Sequence, residues 1–324
     1  MTNPESSIAD TAPVAIPVPK AVRAGVVGVG SIGHNHARVY AGLPQERLTA
    51  IYDADPAKAR EFAQQYGAPA VDSLEEFSKL VDAASVATPT VTHREIGSFL
   101  LARGIHCLVE KPIADKTEDA EALVALARTH DCLLQVGHIE RFNPVLRQLE
   151  ERLTEPKFIE VHRLSPFPNR SMDVGVVLDV MIHDLEIVLF LVKSSIAHID
   201  AVGVPVLSHR EDIANARIRF ASGCVANLTA SRVSPEKMRK IRVFQSDTYL
   251  SLDYQEQAGK IYRKQGQQIV PEEVRVEKDE PLKLELASFI DCVARGERPK
   301  VSGAEAAAAL EVALEITRQI RPNA

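Results

Sequence analysis

Short apolar runs alternate with amphipathic stretches from about Ala21 to Gly137. Ala24–Val29 is a run of small and β-branched residues, the pattern of a strand buried on both faces. Gly33–Gly42 reads as a helix and Leu48–Tyr52 as a second strand. Pro56–Tyr66 reads as a helix that Gly67 stops. Strand Ala83–Ala87, helix Thr92–Arg103 with Gly104 ending it, strand His106–Val109, helix Thr117–His130 and strand Cys132–Val136 complete the series. Strands separated by helices need crossover connections, so the expectation is a doubly wound parallel sheet with helices on both faces.

The pattern changes after Arg141. Asn143-Pro144 offers a cap and a first-turn proline for a helix. Lys157–Leu164 reads as a strand and Val177–Leu191 as a helix. Strands then follow almost without interruption: Ile199–Leu207, Ile213–Phe220, Cys224–Arg232, Lys240–Gln245, Tyr249–Asp253 and Lys260–Tyr262. Tight turns such as Ala221-Ser222-Gly223 make that sheet largely antiparallel. Pro281–Arg295 and Gly303–Arg318 close the chain as helices. The expected fold is α/β plus α+β. Residues 1–20 form a disordered tail, 21–140 the parallel-sheet domain, and 141–324 an α+β domain with an open sheet. The hinge falls near residues 137–143.

Composition narrows the function classes. The chain has 324 residues, 45% hydrophobic and 25% charged, and a net charge of −6. That balance argues against non-specific nucleic-acid binding and against docking on an anionic membrane. The longest apolar stretch, Val174–Val192, contains Asp179, His183, Asp184 and Glu186, which a bilayer core would not accept cheaply. The first twenty residues hold Glu5, Asp10 and four prolines, unlike a signal peptide. Four cysteines with no C-x-x-C pair point to reduced thiols in a cytoplasmic protein, and to no metal site.

Gly28-Val29-Gly30-Ser31-Ile32-Gly33 is a G-x-G-x-x-G run. It follows a strand and opens a helix, and Asp53 ends the next strand 20 residues after Gly33. Together these conditions mark a Rossmann dinucleotide site. Gly28 permits the tight turn, Gly30 lets backbone approach a pyrophosphate, and Gly33 lets helix and strand pack. The helix start at Ser31-Ile32 offers N–H groups to phosphate. Asp53 would accept hydrogen bonds from the adenosine ribose and repel a 2′-phosphate, so the expected cofactor is NAD rather than NADP. Lys58 and Arg60 are the nearby cations, and Asp53 also reads as a strand-end cap.

Asp179 and His183 are four apart in a predicted helix, which puts both on one face. Such a pair serves as a structural hydrogen bond, as metal ligands or as a catalytic dyad. Asp184 and Glu186 lie on other faces and read as solvent or helix-interaction charges. Glu110-Lys111-Pro112 ends a predicted parallel strand, at the edge where doubly wound sheets place ligands.

Gly28–Gly33, Ala87-Thr88-Pro89 with His93, Glu110-Lys111-Pro112 and Asp179-x-x-x-His183-Asp184 together resemble the Gfo/Idh/MocA family, that of glucose–fructose oxidoreductase and inositol dehydrogenase. The likeness spans about Val22 to Arg318. It implies a Rossmann domain, an open-sheet domain carrying the catalytic histidine, a nicotinamide nucleotide, and homodimers or homotetramers built through the open sheet. Lys111, Asp179 and His183 match the catalytic positions. Thr88, Pro89, His93 and Glu110 match positions lining the nicotinamide half of the cofactor. The implied chemistry has neutral His183 take a hydroxyl proton, Asp179 hold the imidazole or the hydroxyl, and Lys111 stabilise oxygen charge.

The segment Gly137-His138-Ile139-Glu140-Arg141-Phe142-Asn143-Pro144 resembles family members that oxidise the 3-hydroxyl of UDP-N-acetylglucosamine, for later amination in lipid A variants. A nucleotide sugar needs cations for its diphosphate. Arg141, Arg163 and Arg170 are the candidates, each reading also as a surface or interdomain ion pair, with Arg141 bracing the domain junction; His138 borders the substrate or is a strand-end residue. The alternatives are a dehydrogenase of a free sugar or inositol, and a dinucleotide-binding regulator without redox activity.

Overall fold

The computed structural model describes residues 21–44, 47–167 and 174–320. The expected tail and Arg170 lie outside them. In the first half, small and branched residues build β1 (Ala24–Val27), β2 (Leu48–Tyr52), β3 (Ala83–Val86), β4 (His106–Glu110) and β5 (Leu134–Gly137). These strands are parallel, in the order β2-β1-β3-β4-β5. β1, β3 and β5 are buried at every position, as a sheet covered on both faces requires. From β1 the chain steps outward to β2 and then returns to β3 on the other side. That reversal opens a crevice at the carboxyl ends of β1 and β3.

The covering helices are α1 (Gly33–Gly42), α2 (Pro56–Tyr66), α3 (Leu74–Leu80), α4 (His93–Leu101) and α5 (Thr117–Thr129). The Asp55 carboxylate caps α2 by accepting from the Ala57 amide at 3.0 Å, and Gly67 ends it at φ 71°. α3 is absent from the sequence reading. Its start is marked by Ser73, whose hydroxyl accepts from the Glu76 amide at 3.2 Å, a serine–glutamate spacing typical of helix starts.

The second half has α6 (Arg147–Arg152), β6 (Phe158–Leu164) and a π-helical turn over Val177–Met181 that runs into α7 (Ile182–Val192). β7 (Ile196–Val204), β8 (Ile213–Phe220), β9 (Val225–Ser231), β10 (Met238–Phe244), β11 (Thr248–Asp253), β12 (Ala258–Gln265) and β13 (Gln268–Val274) follow, then α8 (Pro281–Arg295) and α9 (Gly303–Ile320). The eight-stranded sheet runs β13-β12-β11-β10-β6-β9-β8-β7 and is antiparallel except where β6 lies parallel to β9. The expected Ile199–Leu207 strand starts earlier, at Ile196. β13 was not expected. It contains Pro271 and sits at an exposed sheet edge, the place where a strand tolerates proline.

One face of this sheet is apolar. Ile159, Val161, Ile218, Leu228, Ile241 and Leu250 are buried in a core shared with α7 and α9. The last two helices also reach back to the first sheet. Leu282, Leu286, Phe289 and Ile290 of α8 pack with Val26, Val39 and Tyr40. At the start of α9, a Cβ on Gly303 would stand 2.6 Å from Leu134 Cδ2. A cut at residue 140 therefore separates the sheets but not the helices, which alternate between them.

Buried ion pairs fix the junction. Arg141 Nη1 donates to Glu186 Oε1 at 2.6 Å, both side chains are 2% exposed, and the guanidinium lies 3.4 Å over the Phe190 ring. Arg163 grips Asp184 with two bonds, at 2.7 and 2.8 Å, and Glu140 with a third at 2.8 Å. Asp184 and Glu186 are thus buried and paired; of the two expected readings, solvent or helix-interaction charges, the solvent one fails. Removing one member of a buried pair strands the other charge. Arg141→Ala should therefore lose about 3–5 kcal/mol of stability, whereas the joint change Arg141→Met and Glu186→Leu should lose much less. Urea unfolding checks this; an Arg141→Ala variant as stable as wild type would refute it.

Candidate active site

A cleft of about 1580 Å³ runs over the carboxyl ends of β2, β1, β3 and β4 and on to the second sheet. Gly28, Gly30, Ser31, Ile32 and Asp53 line one end of it. Two of the glycines are demanded by the fold. Gly28 has φ +86°, and a Cβ on Gly33 would stand 1.8 Å from the Gly28 carbonyl oxygen. Gly30 is different: a Cβ there would meet nothing within 4 Å. The fold gives no reason for glycine at 30, but a ligand lying on that backbone does. Asp53 is held in place by the amides of Val29 and Asp55, each donating at 2.8 Å. It therefore caps the strand end and also faces the cleft, with Lys58 beside it.

Thr88, Pro89, Glu110 and Lys111 line the middle. His93 does not reach it. Its ring is buried, with Nδ1 against the Pro112 carbonyl at 3.0 Å and Nε2 against the Thr88 carbonyl at 2.9 Å. It buttresses the two loops that end β3 and β4. Glu110 is fixed by His36 Nε2 at 3.1 Å and by the Lys111 amide at 3.2 Å. The Lys111-Pro112 peptide is cis.

Lys111, Asp179 and His183 meet in the cleft although they come from different sheets. Lys111 Nζ donates to the Asp179 carbonyl at 2.6 Å and to its carboxylate at 3.2 Å. Asp179 sits in the π-helical turn and His183 in the first turn of α7. The wider turn changes the expected pairing, since Asp179 bonds Lys111 and makes no hydrogen bond with His183. His183 is part-buried: Nδ1 is turned inward, and the ring lines the cleft.

The two described arginines among the candidate diphosphate cations are held in buried ion pairs, the other reading the sequence offered for them. Arg141 lies outside the cleft, and Arg163 lines it but is taken by Asp184 and Glu140. His138 is 1% exposed and stands behind His183 rather than in the cleft. Lys237 and Arg239, which the sequence reading missed, line the far end and are both exposed. Their signal was the cluster Lys237-x-Arg239-Lys240 opening a strand. Among the described residues no group of three or more His, Cys, Asp or Glu side chains is placed to hold a metal. No helix among them is long and apolar enough to cross a membrane.

Residues 22–138 match the model of the oxidoreductase family with an NAD-binding Rossmann fold, and residues 149–251 match the GFO/IDH/MocA C-terminal domain. UDP-N-acetylglucosamine 3-dehydrogenase of Acidithiobacillus ferrooxidans is 35% identical over 303 residues, covering 91% of this chain and 96% of that protein. The chain belongs to the GFO/IDH/MocA oxidoreductase family. The solved structure of that Acidithiobacillus enzyme aligns with a TM-score of 0.88 at 34% identity, over 93% of this chain and 98% of that one. scyllo-Inositol 2-dehydrogenase (NAD(+)) of Bacillus subtilis is 25% identical over 323 residues, 93% of this chain and 94% of that protein. Levoglucosan dehydrogenase, solved with NADH and levoglucosan, shares the fold at a TM-score of 0.84 and 18% identity, over 94% of this chain and 98% of that one.

In this GFO/IDH/MocA site the imidazoles are kept neutral. Burial drives the His183 ring well below the ordinary histidine range, and the nearby cations Lys111, Arg163 and Arg239 push the same way. Burial, then Lys111 and Arg141, lowers His138 to about 3. Below pH ~6.5 the unfolded chain takes up a proton at each of these rings that the folded chain does not. Their contribution is therefore complete above that pH and declines as pH falls. Burial raises the Glu285 and Glu186 carboxyls, which acts with the opposite sign, so a difference measurement is needed. From pH 6.5 down to 4, wild type should lose about 1.4 kcal/mol per pH unit relative to His138→Phe. Paired urea titrations test this, and a pH-independent difference would show that His138 is not held neutral.

Proposed function

We propose that this protein oxidises a secondary hydroxyl of a nucleotide sugar, the 3-hydroxyl of UDP-N-acetylglucosamine, to a ketone, with NAD as redox partner. The convergence of Lys111, Asp179 and His183 beside the Gly28–Gly33 turn carries this reading. Its substrate part leans on the 35% identity to the Acidithiobacillus enzyme. NAD, when bound, supplies the hydride acceptor. The unexplained openness at Gly30 and the fixed carboxylate of Asp53 fit a dinucleotide with an unphosphorylated ribose.

The chain's own residues handle the proton and the oxygen. Neutral His183, unprotonated in its buried resting site, takes the hydroxyl proton. Lys111 places an ammonium beside the oxygen as it becomes a carbonyl. Asp179 keeps that ammonium aimed into the cleft. The intact trio favours an enzyme over a dinucleotide-binding regulator. Lys237, exposed on the cleft wall, favours a diphosphate-bearing substrate over a free polyol, with Arg239 beside it also reaching Glu140 at 3.4 Å. The free cysteines and these soluble substrates suit a cytoplasmic protein.

A panel of UDP-sugars, free sugars and inositols, each run with NAD and with NADP and read by nicotinamide absorbance, tests this. UDP-N-acetylglucosamine with NAD should give the highest kcat/KM. His183→Ala should lose about 10² or more in kcat. Lys237→Ala with Arg239→Ala should raise KM for the UDP-sugar. Turnover confined to free polyols would replace the substrate, and full activity in His183→Ala would remove the base.

We propose as well that copies associate through the open face of the second sheet. Phe158, Phe244, Tyr249 and Tyr262 form a cross-strand aromatic row there, with ring centroids 5.7, 4.9 and 4.2 Å apart. Partly exposed aromatic rows of this kind are expected to be covered. Light scattering should give a dimer or tetramer, and Tyr249→Glu should lower the mass; a monomeric wild type would refute this.

A further inference from the structure

Among the described residues, no carboxylate stands behind His183. A histidine acting as base through the nitrogen that faces the cleft must carry its other proton on Nδ1, and something has to receive that N–H. Asp179, the nearest acid in sequence, is engaged by Lys111. The Nδ1 of His183 is buried without a hydrogen-bond partner, and so are both ring nitrogens of His138. The two rings stand edge to face, with centroids 5.9 Å apart and planes at 84°.

The backbone of His138 is pinned at the end of β5. Its amide donates to the Val136 carbonyl at 2.7 Å, and its own carbonyl accepts from the Arg141 amide at 3.0 Å. The charged and titratable groups facing the two rings are Lys111 at the end of β4, Arg163 on β6, Arg239 on β10 and Arg141 after β5. All are cations, so the pair consists of two neutral imidazoles. A neutral ring retains one nitrogen lone pair, which a phenyl ring of the same size lacks.

We propose that His138 is the positioning residue for His183: no hydrogen bond joins the two rings as they stand, and a small ring rotation would bring a His138 nitrogen lone pair onto the His183 Nδ1 proton and hold the catalytic ring in that tautomer. It does what a carboxylate does behind other catalytic histidines, without bringing a second charge into a buried site. The inference rests on His183 being the base.

The test assays UDP-N-acetylglucosamine oxidation by the full-length protein. His138→Phe should lower kcat about tenfold or more, the usual scale for a lost orienting partner, with the KM values for NAD and sugar unchanged. The acid limb of its kcat–pH profile should move to lower pH, because the protonated base loses an acceptor. His138→Asn, which keeps an acceptor, should recover part of the loss. Nitrogen-15 shifts of the wild-type histidines give a reading independent of any variant, and His183 should carry its proton on Nδ1. An unchanged kcat in His138→Phe, an equal loss in the Asn variant, or a proton on Nε2 would overturn the proposal. If His183→Ala is inactive while His138→Phe is normal, this inference alone fails. If His183→Ala is active, the functional reading fails first.

Discussion

The position of His183 depends on the two buried carboxylates that follow it. Asp184 is held by Arg163 on β6, and Glu186 by Arg141 at the junction between the sheets. Neither acid can turn to solvent without stranding its partner in a low-dielectric interior, so the first turn of α7 has one place to be. That turn carries the imidazole into the cleft. Arg163 also binds Glu140, so a single guanidinium ties β6, α7 and the segment leaving β5 into one unit. Such pairs contribute little net stability against apolar substitutes, but they fix geometry.

The same cations set the electrostatics of the reacting end. Lys111, Arg163 and Arg239 lie close enough to His183 to disfavour its protonated form, and burial adds to this. Lys111 Nζ lies 3.2 Å from the Asp179 carboxylate. On the proposed reading, the arrangement separates the roles, with an ammonium for the oxygen and a neutral ring for the proton. It also explains why the carboxylate of the trio sits with the lysine. An acid placed on the imidazole would raise its proton affinity and cancel the effect of the surrounding charge.

The sequence made the first sheet readable almost residue by residue, because backbone constraints show directly in residue type. Gly28 and Gly33 are forced by φ and by contact, and the small, branched strands leave little room for another period. The meeting of Lys111 with Asp179 was legible only through a motif likeness, since 68 residues separate them in the chain. The arginines could not be sorted from sequence for a related reason. Whether a cation serves a ligand or a buried acid is decided by tertiary neighbours. Arg141 and Arg163 are distinguished from Lys237 and Arg239 by burial alone. The π-helical turn left no trace in hydrophobic spacing, so the turn of Asp179 away from His183 and toward Lys111 could not be foreseen. α3 was missed despite a readable start at Ser73, because its one buried side chain, Phe77, makes no stripe.

The return of α8 to the first sheet has a mechanical consequence. A two-lobed protein joined by a single strand can swing open like a book. Here the polypeptide crosses between the lobes again before α8 and once more with α9, whose N-terminal glycine is wedged against Leu134. Crossings at several points around a crevice brace its two walls against the wide swing that a single connecting strand would allow.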